Sequence, residues 1–229
     1  MEQIWEFRSI LLQGMLWSIA VAVSSLMLSV ILGLIGAWGK LSSNSTANRL
    51  ANMYTTVVRG VPDLVLMLLI FYGGQQTLNH IGQSTGLWGY IEIGQFTASV
   101  STIGLIFGAY MTETFRGAII AIPQGQREAG IACGMSKVLI FKRIIFPQML
   151  QIALPSFTNN WLVLIKTTSL VSVLGLQELT YVSKAIGLKY QSPFTFLIFA
   201  FFAYLILTMI SELIFYFLNR KNRMVSRGI

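Results

Sequence analysis

Charge is scarce in this sequence. Only 10% of its 229 residues are Asp, Glu, Lys or Arg, where a soluble domain carries about 25%. Too few charged groups exist to coat a water-facing globule of this size. Cysteine and histidine occur once each, as Cys133 and His80. That excludes a disulfide framework and leaves no Cys-rich or His-based metal site to expect. Close pairs of acids are missing, so no nucleophile–base pair or acid pair offers itself for catalysis. No Gly-x-x-x-x-Gly-Lys-[Ser/Thr] loop and no Gly-x-Ser-x-Gly elbow appears, so the chain is expected to hold no ATP and no catalytic residue. The segment Met1–Arg8 carries Glu2 and Glu6. It lacks a basic leader region and a small-residue cleavage site, so no removable signal peptide is expected.

What the chain has is apolar length. Hydrophobic residues make up 55% and the mean hydropathy is +0.69, which excludes disorder and fits a polytopic membrane protein. The stretch Ser9–Gly39 contains no charge, and ~20 apolar residues suffice to cross the hydrocarbon. Five spans are predicted, at about 10–39, 54–79, 93–116, 150–177 and 192–218, within a single transmembrane domain covering 1–229. The second is drawn back to Tyr54 because Leu64–Gly74 alone is too short. The fourth is interrupted by Pro155 and Lys166.

The net charge of +8 would suggest nucleic acid in a soluble protein. Here it reports orientation, and no nucleic-acid partner is expected. Five crossings put eleven basic residues on one side: Lys40, Arg49, Arg116, Arg127, Lys137, Lys142, Arg143, Arg220, Lys221, Arg223 and Arg227. Three lie on the other: Arg8, Lys184 and Lys189. The excess of Lys and Arg marks the cytoplasmic side, so the N-terminus is expected outside and the C-terminus in the cytoplasm. Gly33, Gly36, Gly104 and Gly108 are expected to let helices approach closely. The polar outer segments Gln75–Tyr90 and Glu178–Gln191 are either docking surfaces for an external partner or bare loops.

The longest cytoplasmic segment, about 122–147, is amphipathic rather than merely polar. Ala129, Ile131, Ala132, Met135, Val138, Leu139 and Phe141 recur at helical steps among Arg127, Lys137, Lys142 and Arg143, which predicts short helices. Gly134 and Ser136 predict a break between two of them. An apolar face outside the bilayer must be covered. It either lies on the membrane surface or docks in a groove of a cytosolic partner.

Within that segment Glu128-Ala129-Gly130, Gly134, Ile144 and Pro147 resemble the EAA motif of membrane subunits of bacterial ABC importers. Gly130 stands where that pattern has a second Ala, and Phe146 where it has Leu. Other runs resemble the polar amino-acid permeases within that group: Arg59-Gly-Val-Pro62, Tyr110-x-x-Glu113-x-x-Arg116-Gly117, Gly125-Gln126, Leu154-Pro155, Asn160-Trp161 and Lys166-x-Thr168-Ser169-Leu170. The run Arg59–Tyr72 is especially similar to Q-type membrane subunits of importers for histidine, lysine, arginine and ornithine. The resemblance implies the MetI-like fold of type I ABC importers, all-α with five transmembrane helices, in the bacterial inner membrane. It implies a second permease subunit (M-type, or a second copy), two ABC ATPase subunits that bind ATP and Mg, a periplasmic amino-acid-binding protein and a polar amino-acid cargo, basic by the likeness of the Arg59–Tyr72 run. It also assigns ATPase coupling to Glu128, Ala129, Gly130, Gly134, Ile144 and Pro147. A stand-alone channel or a membrane enzyme is the competing reading. The channel has no use for the spaced loop, and the enzyme lacks its catalytic groups.

Charges inside spans cost about 2.5–3.5 kcal/mol each on insertion scales, so each must have a use. Asp63 follows Pro62 and lies four residues after Arg59. It either pairs with Arg59 along one helix face or supplies an anion to the path of a cationic amino acid. Glu113, three residues before Arg116, is either a gate or a salt bridge. Lys166 is expected to face the bundle and pair with Asp63 or Glu113. Thr168 and Ser169 either satisfy helix carbonyls or offer hydroxyls to cargo.

Overall fold

A computed structural model describes residues 5–227, with side chains from 5 to 220. All regular structure among the described residues is helical, with no strand. Helix α1 runs Arg8–Leu41, α2 Ser45–Gly60, α3 Asp63–Leu68 and α4 Gly74–Thr85, the last two joined through a π-helical turn. Helix α5 is Gln95–Ile120, followed by the short α6 Gln124–Ala132 and α7 Lys137–Ile140. A second π-helical turn leads into α8 Phe146–Thr167, which tightens into a 3₁₀ segment, Thr168–Leu174. Helices α9 Leu179–Lys189 and α10 Pro193–Arg227 complete the chain.

The expected spans one, three and five correspond to α1, α5 and α10. Helix α1, the α7–α8 stretch from Lys137 to Leu174, and α10 are each long and apolar enough to cross a bilayer. Two further spans exist only if bent pairs are each counted as one: α2 with α3–α4, and α5 with α6. The predicted second span, 54–79, is not one continuous helix. Its first part belongs to α2, and the chain turns through 113° between α2 and α3. Pro62 has no N–H to continue a helix and forces Val61 into extended backbone (φ −114°, ψ 141°). Arg59 and Asp63 therefore stand on different helices, and the expected pair along one helix face does not form.

Close approach of α1 and α5 organises the bundle. The buried positions of α1 are Leu11, Gly14, Ser18, Val21, Ala22, Ser25, Ser29, Gly33, Gly36 and Ala37. That stripe is mostly small residues on one face, the pattern that lets backbones meet where no hydrophobic force drives association. A Cβ on Gly33 would run into Met111, and one on Gly36 into Thr112. From the other side, Gly104 accommodates Leu28 and Gly108 accommodates Leu32 and Tyr54. Behind this seam Val21, Met67, Ile103, Ile106, Phe107, Leu164 and Val171 form one core cluster.

Glu178–Gln191 is neither a bare loop nor a free docking surface along its inner face. Glu178 is fully buried and caps α9, accepting from the amides of Thr180 (2.9 Å) and Tyr181 (2.8 Å). The Tyr204 hydroxyl donates to it at 2.8 Å and the Ser18 hydroxyl at 3.1 Å. One carboxylate thus ties α9 to α1 and α10. Replacing it, Glu178→Ala, strands four donors, for which about 3 kcal/mol is expected. In a chain of this size that lowers the melting midpoint of the purified protein by roughly 6–12 °C. Glu178→Gln keeps an acceptor and is expected to lose less than half as much. Equal melting of Glu178→Ala and the parent protein would show that the tie is idle. The other outer segment is also closed. Asn79 accepts from the Ile91 amide (2.8 Å), Gln75 accepts from that of Ile93 (2.7 Å), and Trp88 donates to the Leu78 carbonyl (3.2 Å).

Candidate functional site

Two sites emerge, a hairpin and a polar crevice. The hairpin is α6, a tight turn and α7, so two short helices meet near Gly134. The turn is a Schellman closure: the Gly134 amide donates to the Ile131 carbonyl (2.9 Å) and the Met135 amide to that of Gly130 (3.0 Å). Gly134 sits at φ +73°, where a side chain is strained. Gly130 is buried beneath Ile140 and Ile144, and a Cβ there would stand 3.0 Å from each. Pro147 lies in the first turn of α8, where no intrahelical donor is needed. Gly130, Gly134 and Ile144 are thus used in building and packing the hairpin, and Pro147 in starting α8. Glu128 and Ala129 are not. Both are exposed, and Glu128 makes no ion pair among the described residues.

The crevice opens where α2, α5 and α8 converge. Arg59, Tyr110 and Glu113 separate two connected hollows of about 440 and 510 Å³. Lys40, Thr55, Thr56 and Gly60 line the first, and Thr114, Pro155, Ser156, Asn159 and Asn160 the second. The Arg59 guanidinium lies 5.5 Å above the Tyr110 ring, a cation–π contact. Asp63 also lies close enough to act electrostatically on the Tyr110 hydroxyl. It is half-buried and makes no ion pair among the described residues. Glu113 is engaged: Lys40 of α1 pairs with it, and Arg116 donates twice to its Oε2, from Nε at 3.0 Å and Nη2 at 2.9 Å. Of the alternatives for Glu113, the salt bridge is what forms, although the residue still lines the crevice. Asn160 donates to the Thr114 hydroxyl at 3.0 Å.

Lys166 does not pair with Asp63 or Glu113. It is exposed on the far side of α8 and, with Ser169, lines a separate hollow of about 400 Å³ against Phe201, Tyr204, Leu205 and Thr208 of α10. Helical periodicity explains the error, because neighbours of Lys166 at 164 and 165 occupy the core face and leave it outside. The Thr168 hydroxyl donates to the Ile165 carbonyl and that of Ser169 to the Lys166 carbonyl, both at 2.8 Å. These two satisfy helix carbonyls. The five candidate path residues therefore fall into two groups rather than one. Ser156, Asn159 and Asn160 were not singled out as site residues. Their signal was a polar stripe at helical spacing next to a proline in an otherwise apolar span.

The family described as "binding-protein-dependent transport system inner membrane component" matches residues 25–224. This chain belongs to that family. Relatives of the permease cover nearly its full length. It is 46% identical over 218 residues, 95% of each chain, to the histidine/lysine/arginine/ornithine transport system permease protein HisQ of Escherichia coli (strain K12). It is 37% identical over 207 residues, 90% of each chain, to the arginine ABC transporter permease protein ArtQ of Haemophilus influenzae. Among solved structures, a chain of an amino acid ABC transporter crystallised with histidines superposes with a TM-score of 0.81 at 27% identity, over 96% of this chain and 97% of that one. A chain of the inward-facing MetNI methionine transporter, 16% identical with a TM-score of 0.75, shares the fold. The permease is a non-catalytic inner-membrane subunit of an amino-acid ABC importer.

Proposed function

We propose that the permease carries basic amino acids (histidine, arginine, lysine or ornithine) as the Q-type half of a two-permease pore. Its topology has five spans, with α2–α4 as a broken second one, the N-terminus outside and the cluster of basic residues in the cytoplasm. The relatives named for basic amino acids support the cargo class. The observation that carries the coupling role is the hairpin. Gly130, Gly134 and Ile144 shape a compact knob, while Glu128 and Ala129 stand exposed, Glu128 with no ion pair among the described residues. A partner ATPase that binds ATP and Mg grips that knob, and this chain needs no cofactor of its own. ATPase closure draws two such hairpins together, and the attached α5 and α8 rock the pore between its two openings.

The exposure of Lys166 supports a second permease. An exposed ammonium beside the apolar centre of α10 is costly against lipid, so that face meets the M-type partner, or a second copy, or the path between them. A periplasmic binding protein delivers cargo to the outer face. Beside the crevice, next to Tyr110, Asp63 has no ion-pair partner among the described residues and is the acid we assign to a cationic side chain, since Glu113 already holds two cations.

The test is uptake of labelled arginine and lysine by cells carrying Asp63→Asn. A drop of about tenfold or more, the effect of ~1.4 kcal/mol, is expected with the assembled transporter intact. Normal uptake would remove Asp63 from the path.

A further inference from the structure

The hairpin has an inner face that coupling does not use. Between it and the bundle lies an apolar cavity of about 800 Å³. Leu34, Trp38 and Leu41 of α1, Ile119 of α5, and Phe146 and Met149 of α8 form its walls. These residues lie at the ends of three helices, on the side that the importer topology places at the membrane surface. Arg127 and Lys137 of the hairpin also line it, and neither has a carboxylate within 4.0 Å among the described residues. Glu128 lies outside the lining, so the one acid of α6 does not offset them. Trp38 is 78% exposed, an aromatic at the depth where headgroups meet chains.

We infer that this cavity binds an anionic phospholipid, with an acyl chain against Trp38, Leu34 and Phe146 and the phosphate on Arg127 and Lys137. Charge complementarity selects the occupant. A zwitterionic lipid brings a headgroup cation along with its phosphate and offsets the two basic groups poorly, whereas each basic group near the surface attracts an anionic lipid appreciably. The bound lipid fills the space beneath the hairpin and braces it against α1 and α8. The inference rests on the importer topology above, which puts this end of the bundle at the cytoplasmic leaflet.

The test uses the whole transporter, co-expressed with its ATPase and second permease, and native mass spectrometry after exchange into mixed phosphatidylglycerol–phosphatidylcholine nanodiscs. Wild type is expected to retain phosphatidylglycerol over phosphatidylcholine by about tenfold. Arg127→Gln with Lys137→Gln is expected to abolish the preference. Leu34→Trp, which puts an indole where the acyl chain is placed and leaves both charges, is expected to cut retention severalfold, and it serves as the test if the double variant fails to assemble. Equal retention of phosphatidylglycerol by wild type and Leu34→Trp overturns the site, as does equal retention of the two lipids by wild type. Displacement of the lipid by millimolar inorganic phosphate would reassign it as a simple anion site and overturn it as well. A complex that imports amino acids yet shows no lipid preference defeats this inference alone, whereas absence of ATP-driven uptake defeats the importer reading.

Discussion

Gly36→Leu is expected to leave little folded permease. The Cβ alone would collide with Thr112, and the seam it enters is bounded by Gly33 against Met111 one turn earlier. Neither helix can retreat cheaply, because the same α1 stripe also holds Gly14 against the Glu178–Leu179 backbone, with a Cβ position only 3.1 Å from the Leu179 Cα. Overpacking a tight contact costs about 1–3 kcal/mol, and a leucine at a backbone-to-backbone crossing sits at the upper end. The monodisperse peak of a fluorescent fusion in detergent is expected to fall severalfold. Gly117→Leu, on α5 but with nothing within 4 Å of its Cβ position, is the matched control and is expected to keep its peak. Equal peaks for the two variants would mean that the α1–α5 seam does not organise the bundle.

Glu128→Arg is expected to have the largest effect on transport with the least effect on folding. Glu128 touches no ion-pair partner within the described chain and is exposed on α6, so the chain should fold unchanged. At a docking interface, reversing a charge loses the native pairing and adds repulsion, which costs about 2–5 kcal/mol. Uptake and co-purification of the ATPase are therefore expected to fall by at least roughly thirtyfold, with the fusion peak retained. A Glu128→Arg transporter that keeps its ATPase and its uptake rate would show that the hairpin is gripped elsewhere or not at all.

Much of the site was legible because its signals are local. Gly134 before Ser136 marks a turn whatever surrounds it, since a left-handed residue is needed to close α6. Within the Glu–Gly–Gly–Ile–Pro spacing, Gly130, Gly134 and Ile144 have local structural roles in the hairpin and Pro147 starts α8. Long-range pairing was not legible. Lys166 was given an acid partner on the ground that lipid would not tolerate it, but its own chain turns it outward. Glu178 read as part of a polar surface segment. Nothing in its neighbours announces that Ser18 and Tyr204, 160 and 26 residues away in sequence, close over it.

Sequence alone determined that this protein lives in a membrane, which end of its bundle is basic, which face of its first helix is narrow, and where the hairpin bends. Those properties follow from composition and periodicity, and each is complete within one stretch of chain. Tertiary structure decided that Val61-Pro62 swings Arg59 onto Tyr110 and away from Asp63, and that Glu113 is shared by Lys40 and Arg116. It also decided that Asp63 stays without an ion-pair partner among the described residues. Which charges meet depends on how helices dock, and docking is set by the sum of many small steric fits that no single segment carries.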